Sequence, residues 1–549
     1  MATEDMYNLL IELAKIPSVS PGVEEKRIAE TIYCKLSSEP YFQANPAFLR
    51  LLPVKGDPLG RQSVFAMVRA VPDTPKTVIM IGHMDVVETH EARGLAEMAF
   101  DPHEYTRQLS RLTLPDDVRR DLESGHYLFG RGVFDMKCGV AAETDLLREM
   151  SRSPKSLQAN LILLLVCDEE NQSAGMISAV EYLMDICHDE NLELVACVNA
   201  EGEIQDNPDD RYVSLGTIGK MMPVFYCVGR ETHIGSYYEG LNANLLASAV
   251  NMVFEGSPQW AEDVGPYVYP PPAALKHRDL RDVYSVTLPA RAVVYFSYHT
   301  VTKTPAAALE MMKAVAQQGF VMALERLRHG AEECAARSST QISVPWSPKV
   351  ITYEELVASA SSSFSTEFSK DRSFDDHLDR FMDSLPKEMD DRDKSIAVIG
   401  EVLRYYTDKD PVIVVGFLPP FYPHKTNLRK SQREIGLVRA VEELIAEAKS
   451  QYNENLVLTE HFTAISDLSY MGFQGSRQDF LPLAKNTPGW GKIYSLPLEA
   501  LFEMEVPVVN LGPSGQDAHK YTERLDLRYY LGAYPGLLKS LVKRLSELE

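Results

Sequence analysis

Short, continuous apolar runs alternate with stretches of helical periodicity along the first two hundred residues. Val78-Ile79-Met80-Ile81, Leu161 to Val166 and Leu194 to Val198 are apolar throughout, as expected of strands buried on both faces. Asp5 to Lys15, Val23 to Leu36 and Lys137 to Met150 instead repeat apolar residues at helical spacing, and Val64 to Val68 reads as a further strand. This order predicts an α/β domain with a mostly parallel sheet and helices on its faces.

After Glu201 the pattern changes. Met222 to Val228 predicts a strand, Asn244 to Phe254 a helix, and Val293 to Tyr298 another strand; a second helix comes next, with Thr304 as N-cap and Pro305 at its first position. These pieces predict an inserted β-α-β-β-α-β-like unit. The large sheet is expected to resume at Pro411 to Phe417, which divides the chain into 1–215, 216–410 and 411–549. Within the middle part, about 324–409 reads as an insertion rich in Ser, Asp and Glu, with short helical pieces at Tyr353 to Ala358 and Ile396 to Tyr405.

Four apolar runs lead, at their carboxyl ends, into residues that bind divalent metal. Val78 to Ile81 leads to His83 and Asp85, Leu161 to Val166 to Asp168, Glu169 and Glu170, Leu194 to Val198 to Glu201, and Val506 to Leu511 to His519. In open α/β sheets the functional crevice lies beyond the carboxyl ends of the strands, so this pattern predicts one metal site.

Composition narrows the partners. Against 78 Asp+Glu stand 55 Lys+Arg, a formal charge of -23 spread along the chain, which disfavours nucleic acid and anionic membranes. Seven cysteines without C-x-x-C spacing, an acidic N-terminus and the lack of a long apolar run predict a reduced, cytoplasmic protein.

Taken residue by residue, His83 and Asp85 are two apart on a strand and face the same way, so His83 can bind metal while Asp85 holds its other ring nitrogen. Asp135, in Gly130-Arg131-Gly132-Val133-Phe134-Asp135, reads either as a helix N-cap or as part of a backbone shaped around a ligand. Three consecutive acids at 168–170 would repel one another in a crevice without a cation; one can ligate while a neighbour takes a proton. Glu201 and His519 are weak signals singly. With His83, Asp135 and Glu170 they make five donors, enough for two metals sharing a carboxylate.

GHMD at 82–85, GRGVFDMK at 130–137, DEE at 168–170, NAEGE at 199–203, Ser466-Asp467 and AHKYTE at 518–523 occur in an order that resembles the family-twenty di-zinc metallopeptidases. Aminoacylase, acetylornithine deacetylase and succinyl-diaminopimelate desuccinylase belong to that family. Length and the late acidic insertion are most similar to its RocB subgroup, named for arginine utilisation. The resemblance implies a zinc-peptidase-like catalytic domain with an inserted α+β, ferredoxin-like lid and dimerisation domain. It implies Asp135 bridging two divalent ions, Zn²⁺ or alternatively Co²⁺ or Mn²⁺, with His83 and Glu201 on one and Glu170 and His519 on the other. Glu169 would be the general base, serving a metal-bridging hydroxide, and Asp85 would orient His83. His233, in Gly229-Arg230-Glu231-Thr232-His233, resembles the lid histidine that reaches a partner subunit's active site in a homodimer.

Two departures bear on substrate recognition. Val286 stands where relatives place Asn before a lid proline, here Pro289, and Phe296-Ser297-Tyr298-His299 lacks an arginine found in relatives. Arg230, Asn242 and Arg291 are the candidates for substrate contact. The expected activity is hydrolysis of an amide bond in a small peptide or N-acyl amino acid. The rival readings are an aminopeptidase of short peptides and a catalytically silent metal-binding scaffold.

Overall fold

The computed structural model describes residues 2–548 apart from 205, 206, 208, 266, 339, 340 and 365–372. The chain forms two compact units: one comprises Met1–Ile218, His424–Gln474 and Pro497–Glu549, the other Gly219–Pro423 and Gly475–Leu496.

The first unit is built on an eight-stranded sheet. Its strands run in the order Leu49–Pro53, Gln62–Val68, Asn160–Val166, Lys76–His83, Glu193–Asn199, Val508–Asn510, Asp210–Ser214, Asn455–Thr459. The four strands expected to carry metal-binding residues are contiguous neighbours within it, and all four are mutually parallel. Their carboxyl ends therefore share one edge. Alternation fixes the packing: Val78 and Met80 join a core with helices Ala2–Ala14, Lys137–Ser151, Gln432–Glu447 and Tyr534–Leu545, whereas Ile79 and Ile81, one residue out of phase, are equally buried on the opposite side. A smaller apolar cluster (Tyr105, Leu109, Val118, Phe129 and neighbours) forms a satellite core within residues 90–129.

In the second unit a six-stranded sheet has the path Ala273–Asp279, Arg291–Thr300, Pro223–Val228, Val412–Phe417, Val350–Thr352, with Gly219–Met221 paired to Arg291–Thr300. Helices Ala243–Phe254 and Pro305–Ser338 pack against one another and against this sheet. The strands at 223, 273, 291 and 412 with these two helices give the ferredoxin-like order, and each of those strands is antiparallel to its neighbour.

Two expectations need correction. Pro411 to Phe417 does not resume the large sheet: Val412–Phe417 is the fourth strand of the ferredoxin-like unit, paired with Pro223–Val228. An apolar run shows that a strand is buried but not which sheet it joins. Nor does an insertion begin near 324, because the helix from Pro305 continues to Ser338. Between Ser338 and the Val412–Phe417 strand, the described residues are integral to the unit. Val350–Thr352 adds an edge strand, while Leu356, Phe374, Ile399 and Val402 from three helices join a core with Val224, Tyr226 and Val414 of the sheet. Residues 365–372 of the expected insertion lie outside the described residues.

Candidate metal centre

His83 is the last residue of the Lys76–His83 strand, 1% exposed, with its ring at the carboxyl edge of the sheet. Its Nε2 lies 3.2 Å from Asp135 Oδ1 and 4.0 Å from Glu201 Oε1. Asp135 turns its other oxygen to His519, with Oδ2 3.0 Å from His519 Nε2, and both carboxylate oxygens of Glu170 are 3.1 Å from that same nitrogen. Two donor sets result, His83/Asp135/Glu201 and Asp135/Glu170/His519, each with its donor atoms within 4.8 Å of one another. Asp135 belongs to both.

The backbone around these residues explains their convergence. Glu201 lies just beyond the strand Glu193–Asn199 and is gripped by Asn510, whose side chain accepts from the Glu201 N–H (3.1 Å) and donates to its carbonyl (2.9 Å). Chain passes chain so closely there that a Cβ on Gly512 would stand 1.8 Å from the Glu201 carbonyl oxygen, so only glycine fits. Asp135 emerges from a turn in which Gly132 adopts φ +75°, a conformation few L-residues tolerate. Buried Glu523 accepts from the N–H groups of Phe134 (3.1 Å) and Asp135 (3.2 Å) while pairing with Arg131 (2.6 Å). Arg131 in turn donates to the His519 carbonyl (3.1 Å), so one buried ion pair supports residues of both donor sets.

Asp85 faces His83 Nδ1 with both its carbonyl and its carboxylate. The oxygen nearest His83 Nδ1 is the Asp85 backbone carbonyl at 3.1 Å, with the carboxylate at 3.6 Å. That carboxylate is engaged by two stronger claims: Oδ1 accepts from the Glu169 N–H (3.1 Å) and Oδ2 from the Glu170 N–H (3.0 Å). Of the three consecutive acids, Asp168 serves the fold. In a left-handed conformation, it accepts from Ser20, Asn171, the Ala174 N–H and buried Arg61, and Arg61 also pairs with buried Glu25. Glu170 faces the centre through His519, and Glu169 is buried within electrostatic reach of His83, Glu201 and Glu170.

Electrostatics here call for positive charge. Burial drives the Glu169 carboxyl well above the usual range, with Glu201, Glu170 and Asp467 adding to the effect against the pull of His83. Glu201 is pushed up to about 8, chiefly by burial, and buried Asp467 to about 7 for the same first reason. Asp135 is also buried, yet the hydrogen bond from His519 and the His83 ring 3.2 Å away hold it below the usual carboxylate value; the contacts of His519 with Asp135 and Glu170 raise that imidazole to about 11. Among the described residues His83 Nε2 and Asp135 Oδ1 are buried and lack a hydrogen-bond partner despite their proximity, as donors arranged around a common ion would be. Imidazole and carboxylate in this ratio suit Zn²⁺ and its first-row neighbours.

The remaining candidates belong to the second unit. His233 is exposed, its Nδ1 accepting from the Gly235 N–H at 3.0 Å. Arg230 is also exposed. Asn242 caps the Ala243–Phe254 helix through the Asn244 N–H (2.9 Å), and Arg291 starts the Arg291–Thr300 strand beside Tyr226. Val286 is half exposed and its carbonyl accepts from the Ile234 N–H. Sequence reasoning missed the supporting residues Asn510, Glu523, Arg131, Glu25 and Arg61. Arg131 and Glu523 lie within the segments 130–137 and 518–523 singled out in the sequence.

An open α/β sheet presenting two metal-donor triplets with a shared carboxylate at its carboxyl edge is the frame of a metal-dependent hydrolase. A family model described as peptidase family M20/M25/M40 matches residues 79–499. YqjN of Bacillus subtilis (strain 168) is 32% identical over 550 residues, covering 99% of this chain and 96% of its own. RocB of the same organism is 26% identical over 542 residues, covering 98% and 94%. Among solved structures, the M20 family metallo-carboxypeptidase Sso-CP2 from Sulfolobus solfataricus shares the fold with a TM-score of 0.52 at 13% identity, over 99% of each chain. The chain belongs to peptidase family M20/M25/M40, the metal-dependent hydrolases of amide bonds.

Proposed function

We propose that this chain hydrolyses the amide bond of a small peptide or N-acyl amino acid, with two divalent ions held by His83, Asp135 and Glu201 on one side and Asp135, Glu170 and His519 on the other. The observation that carries this reading is the pair of donor triplets sharing Asp135. Zn²⁺ is the metal best matched to the donors; when bound, such ions supply Lewis acidity and bring the pKa of the attacking water down to about 7.

The chain's own residues do the rest. Glu169, buried beside the donors, takes the proton of the attacking water and passes it to the departing amine. Asp85 fixes the backbone of Glu169 and Glu170 together, so that the base and a metal donor keep one spacing. His233, exposed at the N-cap of the Ile234–Glu239 3-10 helix, is assigned to polarise the scissile carbonyl in the site of a second copy, which makes the working form a homodimer. Arg230, Asn242 and Arg291 are assigned to substrate contact, and the cytoplasm, suggested by seven unpaired cysteines, is the assigned compartment. Among the described residues no helix is long and apolar enough to cross a membrane.

The test is a metal-replete panel of N-acyl amino acids, N-acyl arginines among them, set against free and N-blocked dipeptides. Turnover of N-acyl substrates or N-blocked dipeptides supports the deacylase or general peptidase reading. Turnover confined to dipeptides with a free amine replaces it with an aminopeptidase, and turnover of none replaces it with a metal-binding scaffold.

A further inference from the structure

The two donor sets are built on unequal foundations. His83 ends a central strand and is 1% exposed, and Glu201 is clasped by Asn510 from the neighbouring strand. His519 lies beyond the sheet on a loop, with its side chain 51% exposed and both it and Asp517 in the left-handed conformation. Left-handed backbone at two non-glycine residues persists only where surroundings hold it.

The holding is done largely from outside the sheet. Arg524, fully buried, sends Nη1 to Asp517 and to the Thr522 carbonyl (3.2 Å), Nε to Asp121 (2.8 Å) and Nη2 to Asp117 (3.1 Å). Asp117 and Asp121 lie on the Asp116–Ser124 helix, which belongs to the satellite core of residues 90–129. Tyr105 of that core donates its hydroxyl to the Tyr521 carbonyl at 2.7 Å, and the Tyr521 ring packs against the same cluster. The loop from Asp517 to Thr522 is thus moored to the satellite core on one flank.

We propose that Arg524, with Asp121 and Asp117, is a positioning device that sets the metal affinity of the Glu170/His519 half of the centre without governing the His83/Glu201 half. The proposal rests on the two-ion reading given above. Loosening the mooring weakens one ion selectively, because His519 loses its fixed direction while the strand-borne donors keep theirs. Charged groups that orient a ligand commonly change affinity about 10–100-fold when altered.

The experiment titrates the metal-free full-length protein with Co²⁺, followed by visible absorbance and calorimetry, for the wild type, Asp121→Asn, Arg524→Lys and His519→Ala. The wild type is expected to take two equivalents. Asp121→Asn and Arg524→Lys should keep the first within about twofold and weaken the second about 10–100-fold, matching the ion lost by His519→Ala. Equal weakening of both equivalents, or of neither, overturns the positioning role. A wild type that takes fewer than two ions overturns the two-ion reading beneath it, so the two failures are distinct. If Arg524→Lys does not fold, Asp121→Asn and Asp117→Asn, both at the rim of the cluster, decide the matter.

Discussion

Asp85 accepts the backbone N–H of Glu169 at 3.1 Å and, through its second oxygen, that of Glu170 at 3.0 Å, tying the end of one strand to the loop after its neighbour. One buried carboxylate therefore sets the position of the proposed base and of a proposed metal donor together. In Asp85→Asn one oxygen becomes an NH₂ that cannot accept, so one of the two N–H groups loses its partner. The expected result is a 10–100-fold fall in metal affinity or activity with the fold retained, read by metal titration alongside steady-state kinetics. An Asp85→Asn protein indistinguishable from wild type in both would remove this residue from the positioning role.

Glu169→Gln separates base from ligand. The amide keeps the size of the side chain and leaves all five donors in place, so two ions should still bind. Turnover should fall about 10²–10⁴-fold, the usual worth of a positioned acid–base group. Activity close to wild type would assign the proton transfer elsewhere.

Glu143 offers a stability test away from the donors. It lies on the Lys137–Ser151 helix, fully buried, and among the described residues neither carboxyl oxygen has a hydrogen-bond partner. Burial raises its pKa well above the usual value. The folded state accordingly holds this proton more tightly than the unfolded state. Its stability is fully present below the unfolded carboxyl value and is lost as pH rises from there toward the raised folded value. Glu143→Leu should stabilise the protein by about 1–3 kcal/mol near neutral pH, and the gain should be larger at pH 8 than at pH 5. Thermal midpoints of both proteins at the two pH values check this; a pH-independent difference would contradict it.

Removing metal should destabilise the first unit. Without cations the acids at 135, 169, 170 and 201 share one crevice, and metal binding to the folded state alone adds about 2.7 kcal/mol per site at a free concentration 100 times Kd. A chelator should lower the thermal midpoint, and Zn²⁺ or Co²⁺ should restore it. A midpoint insensitive to chelation of a metal-loaded sample would argue against ions in this cleft.

The donors were legible because each comes after an apolar run, and parallel strands put such positions on one edge. That logic reaches His83, Glu170 and Glu201 directly. His519, on a loop beyond its strand, stood out only in company. Arg131 and Glu523 were illegible as a pair because they meet across almost the whole first unit, and a buried salt bridge leaves no local periodicity. Val412–Phe417 shows the matching limit for the fold: its six buried residues declare a strand, but its partner Pro223–Val228 is set by the topology of the ferredoxin-like unit, which an apolar run does not encode. The role of Asp168 was hidden for another reason. Its long-range partners, Ser20, Glu25 and Arg61, come from the amino-terminal part of the chain.

The central claim is that Asp135 stands between two ions, and anomalous diffraction from crystals of the zinc-loaded protein tests it most directly. The account predicts two anomalous peaks flanking the Asp135 carboxylate, one contacted by His83 and Glu201 and the other by Glu170 and His519. A single peak, or peaks away from Asp135, would contradict it.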